Sequence, residues 1–559
     1  MKKVLSVLGI MIVLAMVLGL AGCGATEAPP APTAAPTKAA QATEAPPTEA
    51  PATEVPPTEV PPTEVPPTEV PPTEVPPTEA PPEPTELRIG LSLDVESMDP
   101  FFVNQAAGWS VVHALFDHLV ERDFEGAIVP GLAVSWTIVD TGTLEFELRE
   151  GVSFHNGEPF TADSVKFSVE RMLGEEEAPN QSKFKSIDSV EVVDDYTVRL
   201  HLNRPDGTLF DSLTSRLAML PPKYFEEVGA EGFAEAPVGT GPFAFVEWLP
   251  DDHITLAANK DYWEGSYKGK SMVDTVVFRP IPEAATRAAE LQAGGVDIIQ
   301  DVIPDQMDDL EAAGLTVVPD EAFQLQYTFF IADDETVPTY DVKVRQALNY
   351  AVDVDTIIES LLAGLGSRIA SPIGPGYLGY DPSVEPYPYD PDKAKELLAQ
   401  AGYADGFETT LDTTTAGHTD VIDAVAGYLS EIGVKVTIQE YELGQFNQNW
   451  MDHAQSMLWA ARWGNTPDPQ SIELFASCNG WITRYCNEEA TAHLEAARDT
   501  LDQDERAMHY AAASQLMHDD PLAIYLMTSA QIYGLGAGVE DFQPSPLLAI
   551  IVSGVSVSE

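Results

Sequence analysis

Of the side chains able to do chemistry, the three cysteines are the most telling. Cys23 follows Leu20-Ala21-Gly22, small residues of the kind that precede a processing site. Cys478 and Cys486 lie eight apart, and in an oxidising compartment a pair at that spacing reads as a disulfide. Closing so small a loop contributes at most about 2.5 kcal/mol in the chain-entropy model, enough to pin a loop but not to hold a fold. With no third and fourth ligand at zinc spacing, no metal site is expected. His113 and His118 are five apart and would face different sides of a helix, so they read as packing or surface residues. Catalytic signatures fail. There is no Gly-x-Ser-x-Gly and no His-Glu-x-x-His, and the phosphate-loop look-alike Gly265-Ser266-Tyr267-Lys268-Gly269-Lys270-Ser271 has Glu264 where its first glycine is required. The chemistry left is binding, without a cofactor.

What surrounds Cys23 says where that binding takes place. Lys2 and Lys3 precede an apolar run from Val4 to Leu20, and residues 1–22 together read as a secretory signal. At about 17 apolar residues the run is marginal for a membrane span, which needs roughly 20. The segment resembles the lipobox of bacterial lipoproteins, which implies that the Cys23 thiol takes a diacylglyceryl group and becomes the mature N-terminus. Two or three acyl chains, at about 0.8 kcal/mol per buried methylene, hold a protein on a membrane durably. Residues 23–86 then form a stalk of Pro, Thr, Glu, Val and Ala, settling into the repeat Val55-Pro56-Pro57-Thr58-Glu59. Two prolines in five forbid helix, and nothing is apolar enough to build a core, so the stalk is expected to be disordered. Extended at about 3.1 Å per residue, it reaches on the order of 190 Å. The body is therefore expected on the extracellular or periplasmic face, tied to the membrane by lipid alone.

The formal charge is −60; the signal carries +2 and the stalk −10, leaving −52 for the body from Leu87 onward. So acidic a surface repels nucleic acid and anionic lipid, and reflects either a salty habitat or a bias toward cationic or neutral ligands. At this length the body exceeds a single hydrophobic core, and two or more lobes are expected.

The elements that must position a site show clear punctuation. Leu87, Ile89, Leu91 and Leu93 alternate as an opening strand, and residues 143–149 and 189–202 suggest a small antiparallel sheet. Thr161, Asp341 and Asp390-Pro391 each open a helix. A helix carrying Ile422, Val425, Leu429 and Ile432 closes at Gly433 and runs straight into a strand with Val434, Val436 and Ile438 on one face. That is half a βαβ unit and argues for an α/β lobe with a largely parallel sheet.

Three ordered stretches carry a resemblance. The first runs Pro130-Gly131-Leu132-Ala133 and Ser135-Trp136, then Phe146 and Leu148-Arg149, then Phe154-His155-Asn156-Gly157-Glu158-Pro159-Phe160-Thr161-Ala162. The second is Gly239-Thr240-Gly241-Pro242-Phe243 with Asn259 and Tyr262-Trp263, and the third is Asp341-Val342 followed by Val344-Arg345-Gln346-Ala347-Leu348-Asn349-Tyr350-Ala351-Val352-Asp353. Together they resemble the family 5 extracellular solute-binding proteins of ATP-driven (ABC) importers, which bind dipeptides, oligopeptides or nickel. The cysteine pair also looks like one in the dipeptide-binding branch. The resemblance implies a two-lobed periplasmic-binding-protein-like α/β fold of type II. The first lobe would comprise residues 87–130, 235–330 and 527–559, with a peripheral subdomain at 131–234, and the second lobe 331–526. The crossings would lie near Gln326–Ile331 and Tyr525–Ser529. The motifs themselves read as scaffold: Gly239 and Gly241 for a tight backbone path, His155-Asn156-Gly157 for a hairpin turn.

The resemblance also says where solute would be held. In the family's peptide binders an aspartate after a tryptophan grips the amino end; here the segment is Trp463-Gly464-Asn465-Thr466-Pro467-Asp468-Pro469, with Asn465 or Thr466 in that place and Asp468 just before the proline. The arginine that holds the carboxylate in the dipeptide branch is missing from Thr415-Ala416-Gly417-His418-Thr419-Asp420. What remains is aromatic and amide-rich: Asn104, Gln105 and Trp109 on one side, and His418, Trp459, Arg462, Trp463, Asn465 and Asp468 on the other. The expected function is solute capture by a monomeric importer-linked protein that serves an ABC permease and its ATPase subunits. A peptide-like ligand is favoured, with oligosaccharide the alternative. A surface adhesion or sensory protein on the same fold is the other class, and an exported enzyme comes last.

Overall fold

Leu87, Ile89 and Leu91 are all but sealed from solvent along strand β1 (Glu86–Leu91), whereas Leu93, the fourth of the alternating series, lies past its end and is exposed. The computed structural model describes residues 85–558 apart from 415–418, 464–465 and 481–483. Cys23, the signal and the stalk lie outside the described residues, as do His418 and Asn465. No helix among the described residues is long and apolar enough to cross a membrane.

Ten strands form one continuous sheet. After β1 they are β2 (Phe243–Leu249), β3 (His253–Ala258), β4 (Thr275–Pro280), β5 (Ile298–Ile299), β6 (Thr316–Phe330), β7 (Phe407–Thr414), β8 (Val434–Tyr441), β9 (Leu458–Trp463) and β10 (Ala523–Leu535). Their order across the sheet is β8-β7-β9-β6-β10-β5-β1-β4-β3-β2. The expected crossover is present: β7 and β8 pair in parallel, joined by helix Thr419–Glu431. A separate antiparallel sheet of Ala133–Asp140, Thr143–Leu148, Thr197–Leu202 and Ile187–Asp194 lies in the region read as a small antiparallel sheet. Helix Ala162–Gly174 packs on it, opened by a capping box between Thr161 and Ser164.

The cores divide the molecule in two. One set of buried residues draws on 87–310 and 532–555, the other on 325–527. Among the described residues, only the strands β6 and β10 run from one set into the other, antiparallel, from the pair Thr316–Leu535 to the pair Phe329–Ala523. Their ladder slips twice, between Glu321 and Gln324 and between Gln326 and Tyr327. Leu325, Tyr327 and Phe329 already pack with the second set, so β6 passes between cores ahead of the Gln326–Ile331 expected from the sequence. A bulge locally unpairs and bends a strand, so both irregularities sit where a bend between the lobes costs least.

The three family-like stretches serve this frame. Arg345 donates to the carbonyls of Pro521 at 2.8 Å, Thr339 at 2.7 Å and Tyr340 at 2.8 Å, and pairs with Asp520. One turn on, the Asn349 amide donates to the Ala523 carbonyl and accepts from the Tyr525 N–H, each at 2.9 Å. Both side chains thus fix the start of β10. Gly239 and Gly241 lie against the end of helix Ala106–Leu115; a Cβ at Gly239 would sit 2.0 Å from the Leu115 carbonyl oxygen, which excludes any side chain. His155 ties the first stretch to the second: its backbone N–H donates to the Gly239 carbonyl at 2.9 Å, its Nε2–H to that of Gly241 at 3.0 Å, and its Nδ1 accepts from the Gly239 N–H at 3.3 Å.

Those bonds need a neutral imidazole. Burial holds His155 below its ordinary value, against the pull of the Gly241 carbonyl and Asp117. An unfolded histidine titrates near about 6.5, so between the two values the unfolded chain binds the extra proton. The stability His155 contributes is therefore complete above about pH 6.5 and is lost as pH falls toward the folded value. The thermal midpoint should drop on acidification below that point, and by less in His155→Gln, whose amide can donate and accept without titrating. Equal drops in both proteins would remove this account of the motif.

Candidate functional site

On the first lobe, helix Ala106–Leu115 starts after an extended Gln105, and no Gln105 side-chain bond caps it. Asn104 and Gln105 are exposed, and the Asn104 N–H donates to Glu96 Oε1 at 3.3 Å. Trp109, one turn in, is buried at 5% exposure. The Arg216 guanidinium lies 3.6 Å from its ring centroid, a cation–π contact that the sequence reading missed. Arg216 Nη1 and Trp109 Nε1 are both buried without a hydrogen-bond partner. Burial lowers Arg216 to about 10, with Asp211 pulling the other way. A signal was present: Arg216 interrupts an otherwise uncharged run from Ser212 to Leu220, and a cation in such a run needs an internal role.

On the second lobe, Arg462 and Trp463 occupy β9 positions opposite Gln326 and Leu325, beside the slipped part of the β6 ladder. Their side chains lie outside what is described. Trp459 does not line a cleft here. It is fully enclosed, stacked on Phe329 at 4.3 Å between centroids and tilted against Trp450 at 5.0 Å, in the core formed with Tyr327 and Phe475. The aromatic count of β9 misled because burial there is set by Trp450 of the preceding helix Leu443–Met451 and by Phe329 of β6, far away in sequence.

Asp468 is also committed elsewhere. Its two oxygens accept from the Arg506 guanidinium at 2.7 and 3.0 Å, and Oδ1 accepts from the Gln470 N–H at 3.0 Å. Burial pushes this carboxyl up while Arg506 pulls it down. With both oxygens taken, Asp468 anchors Arg506 and offers no free charge to an amino end. Cys478 and Cys486 are joined in a disulfide.

Between the lobes lies a cavity of about 390 Å³, lined by Arg122, Phe210 and Asp211 from the first lobe and by Tyr377, Pro467 and the paired Asp468 and Arg506 from the second. Bonds cross beside it. The Gln470 amide donates to Asp211, which also pairs with Arg122. The Gly207 N–H donates to the Arg498 carbonyl at 2.7 Å, and Arg204 pairs with Asp499 at 3.0 Å. Arg216 follows Ser212 by one turn, and the Ser212 hydroxyl approaches Gln470 at 3.5 Å. A larger, apolar hollow of about 580 Å³ between Ala234 and Trp248 belongs to the first lobe alone. The interlobe cavity is the better candidate, because only there do both lobes contribute charge, hydrogen bonds and aromatic surface.

The model for bacterial extracellular solute-binding proteins, family 5 (middle region), matches residues 127–482. Heme-binding protein A of Haemophilus influenzae is 33% identical over 483 residues, covering 79% of this chain and 87% of the relative. Glutathione-binding protein GsiB of Pectobacterium atrosepticum is 31% identical over 482 residues, covering 80% and 90%. Among solved structures, the ABC transporter-associated periplasmic binding protein DppA of Helicobacter pylori, in complex with the peptide STSA, matches with a TM-score of 0.73 at 28% identity, over 85% of this chain and 99% of its own.

Removing one partner of a buried charge pair leaves the other uncompensated and costs about 3–5 kcal/mol. Asp468→Ala should therefore lower unfolding free energy by that order in a denaturant titration. An unchanged midpoint, with ligand affinity alone reduced, would return Asp468 to the set of direct solute contacts.

Proposed function

The chain belongs to family 5 of the bacterial extracellular solute-binding proteins, and from that premise we propose that it captures a peptide-like solute between its two lobes and delivers it to the permease of an ABC importer. The lipid on Cys23 and the long stalk would keep the body beside that permease. The relatives are solute-binding proteins of transporters, not enzymes. In this reading binding is the whole task.

The observation that carries it is the cavity walled by both lobes, which only β6 and β10 join through their cores. Solute contacts made by both walls exist only when the lobes are together, and a ligand shifts the open–closed balance only by that difference in affinity. Relatives named for glutathione and solved with a bound peptide favour a peptide-like solute. The comparisons lend the oligosaccharide alternative no support. Asn104, Gln105, Arg462, Trp463, Asn465 and His418 remain proposed contacts. Arg216 joins them: its guanidinium is pinned over Trp109 with a free donor, suited to the anionic end of a peptide in place of the arginine missing from 415–420.

Tryptophan fluorescence titrated with mixed di- and tripeptides, and separately with oligosaccharides, tests this. A saturable change is expected with peptides and none with sugars. Arg216→Gln should weaken peptide binding about tenfold or more, the scale of one lost charge-assisted hydrogen bond. Saturable binding of sugars without peptides would overturn the ligand class, and unchanged affinity in the variant would remove Arg216 from the site.

A further inference from the structure

The sequence sets His113 and His118 on different sides of a helix, but the helix ends at Leu115. The chain then turns through Phe116, Asp117 and His118 into strand Val120–Arg122, and this turn folds His118 back against His113, with ring centroids 5.0 Å apart. Glu121 closes the group. Its Oε2 lies 3.9 Å from His113 Nδ1 and its Oε1 3.3 Å from His118 Nδ1. One ligand atom from each of the three side chains lies within 4.8 Å of the other two, and none of the residues is more than 2% exposed.

Hydrogen bonding leaves this cluster incomplete. Both ring nitrogens of His113, Nε2 of His118 and Oε2 of Glu121 are buried without a partner. Each such atom is costly, and a lone-pair acceptor seated among them would relieve most of that cost. Charge points the same way. Asp117 and Glu121 share one ammonium, Lys268, at 2.9 and 3.2 Å. Asp117 is further satisfied by Tyr262 at 2.9 Å, Trp263 at 2.8 Å and Thr240 at 3.0 Å. Lys268 and His118 bear on Oε1 of Glu121, which leaves Oε2 facing the His113 ring.

We propose that His113, His118 and Glu121 hold one divalent ion of the zinc class inside the first lobe. Two imidazoles and a carboxylate are a ligand set that zinc takes, and donors around such an ion at about 2.0–2.1 Å lie roughly 3.4 Å apart, so the three ligand atoms, now within 4.8 Å of one another, would draw together on binding. The ion would tie the end of helix Ala106–Leu115 to strand Val120–Arg122, behind the wall that carries Trp109. Lys268 opposes a further cation, so affinity rests on the imidazoles. The site is sealed from solvent, which assigns the ion a structural role and separates it from any solute in the interlobe cavity.

The test uses the full chain in detergent, without a histidine tag. It is stripped with a chelator, loaded with Zn2+ or Co2+, and dialysed against excess Ca2+ to clear the acidic surface. One Zn2+ per chain should remain, Co2+ should give the intense visible bands of a low-coordinate site with imidazole ligands, and His118→Gln or Glu121→Gln should bind at least tenfold more weakly while peptide-induced fluorescence persists. If these variants do not fold, X-ray absorption of the zinc-loaded wild type decides, with two imidazole ligands expected. A wild type that retains no ion, cobalt in an octahedral all-oxygen environment, or variants that bind as well as wild type would each overturn the proposal and leave the histidines as packing residues.

Discussion

Among the described residues, β6 and β10 are the only strands whose side chains enter both cores, and the joint between the lobes depends on that pair. A ladder of this length would lock the lobes rigidly if it were regular. Two slips in register, both between Glu321 and Tyr327, interrupt it where it leaves one core for the other. Arg345 and Asn349 then fix the start of β10 through three backbone contacts, to Pro521, Ala523 and Tyr525. Arg462 and Trp463 occupy the β9 positions opposite Gln326 and Leu325 in the slipped stretch.

Much of this was legible in the sequence because its causes are local. Thr161, Asp341 and Asp390 cap the helices they precede, and the half βαβ unit after Gly417 completes as read, with Gly433 at positive φ between its helix and strand. The family-like stretches read as scaffold, and their side chains do hold backbone rather than face solute. What stayed hidden depends on partners distant in the chain. Asp468 looked available until Arg506, 38 residues on, took both its oxygens. Trp459 looked like a cleft aromatic until Phe329 covered it. His113 and His118 were separated by an assumed helix whose end, set where Gly239 and Gly241 press on Leu115, nothing between the two histidines announces.

Net charge proved a poor guide to the site. The body carries −52, yet Arg122, Arg216, Lys268, Arg287, Arg345 and Arg506 are buried. The unbalanced anions lie outside, where water stabilises them, while the buried cations are matched by carbonyls and by buried carboxylates such as Asp117, Asp211 and Asp468. An acidic exterior is thus compatible with a cavity whose nearest unsatisfied donor belongs to an arginine, and ligand charge has to be read from the lining.

The central claim is a clamp that closes on its solute. Small-angle scattering of residues 81–559, which form one compact unit, compares the free protein with the same protein saturated by a peptide that fluorescence shows to bind. The account predicts a smaller radius of gyration with peptide bound, as the lobes spend more time together. Identical curves for free and peptide-saturated protein would contradict it.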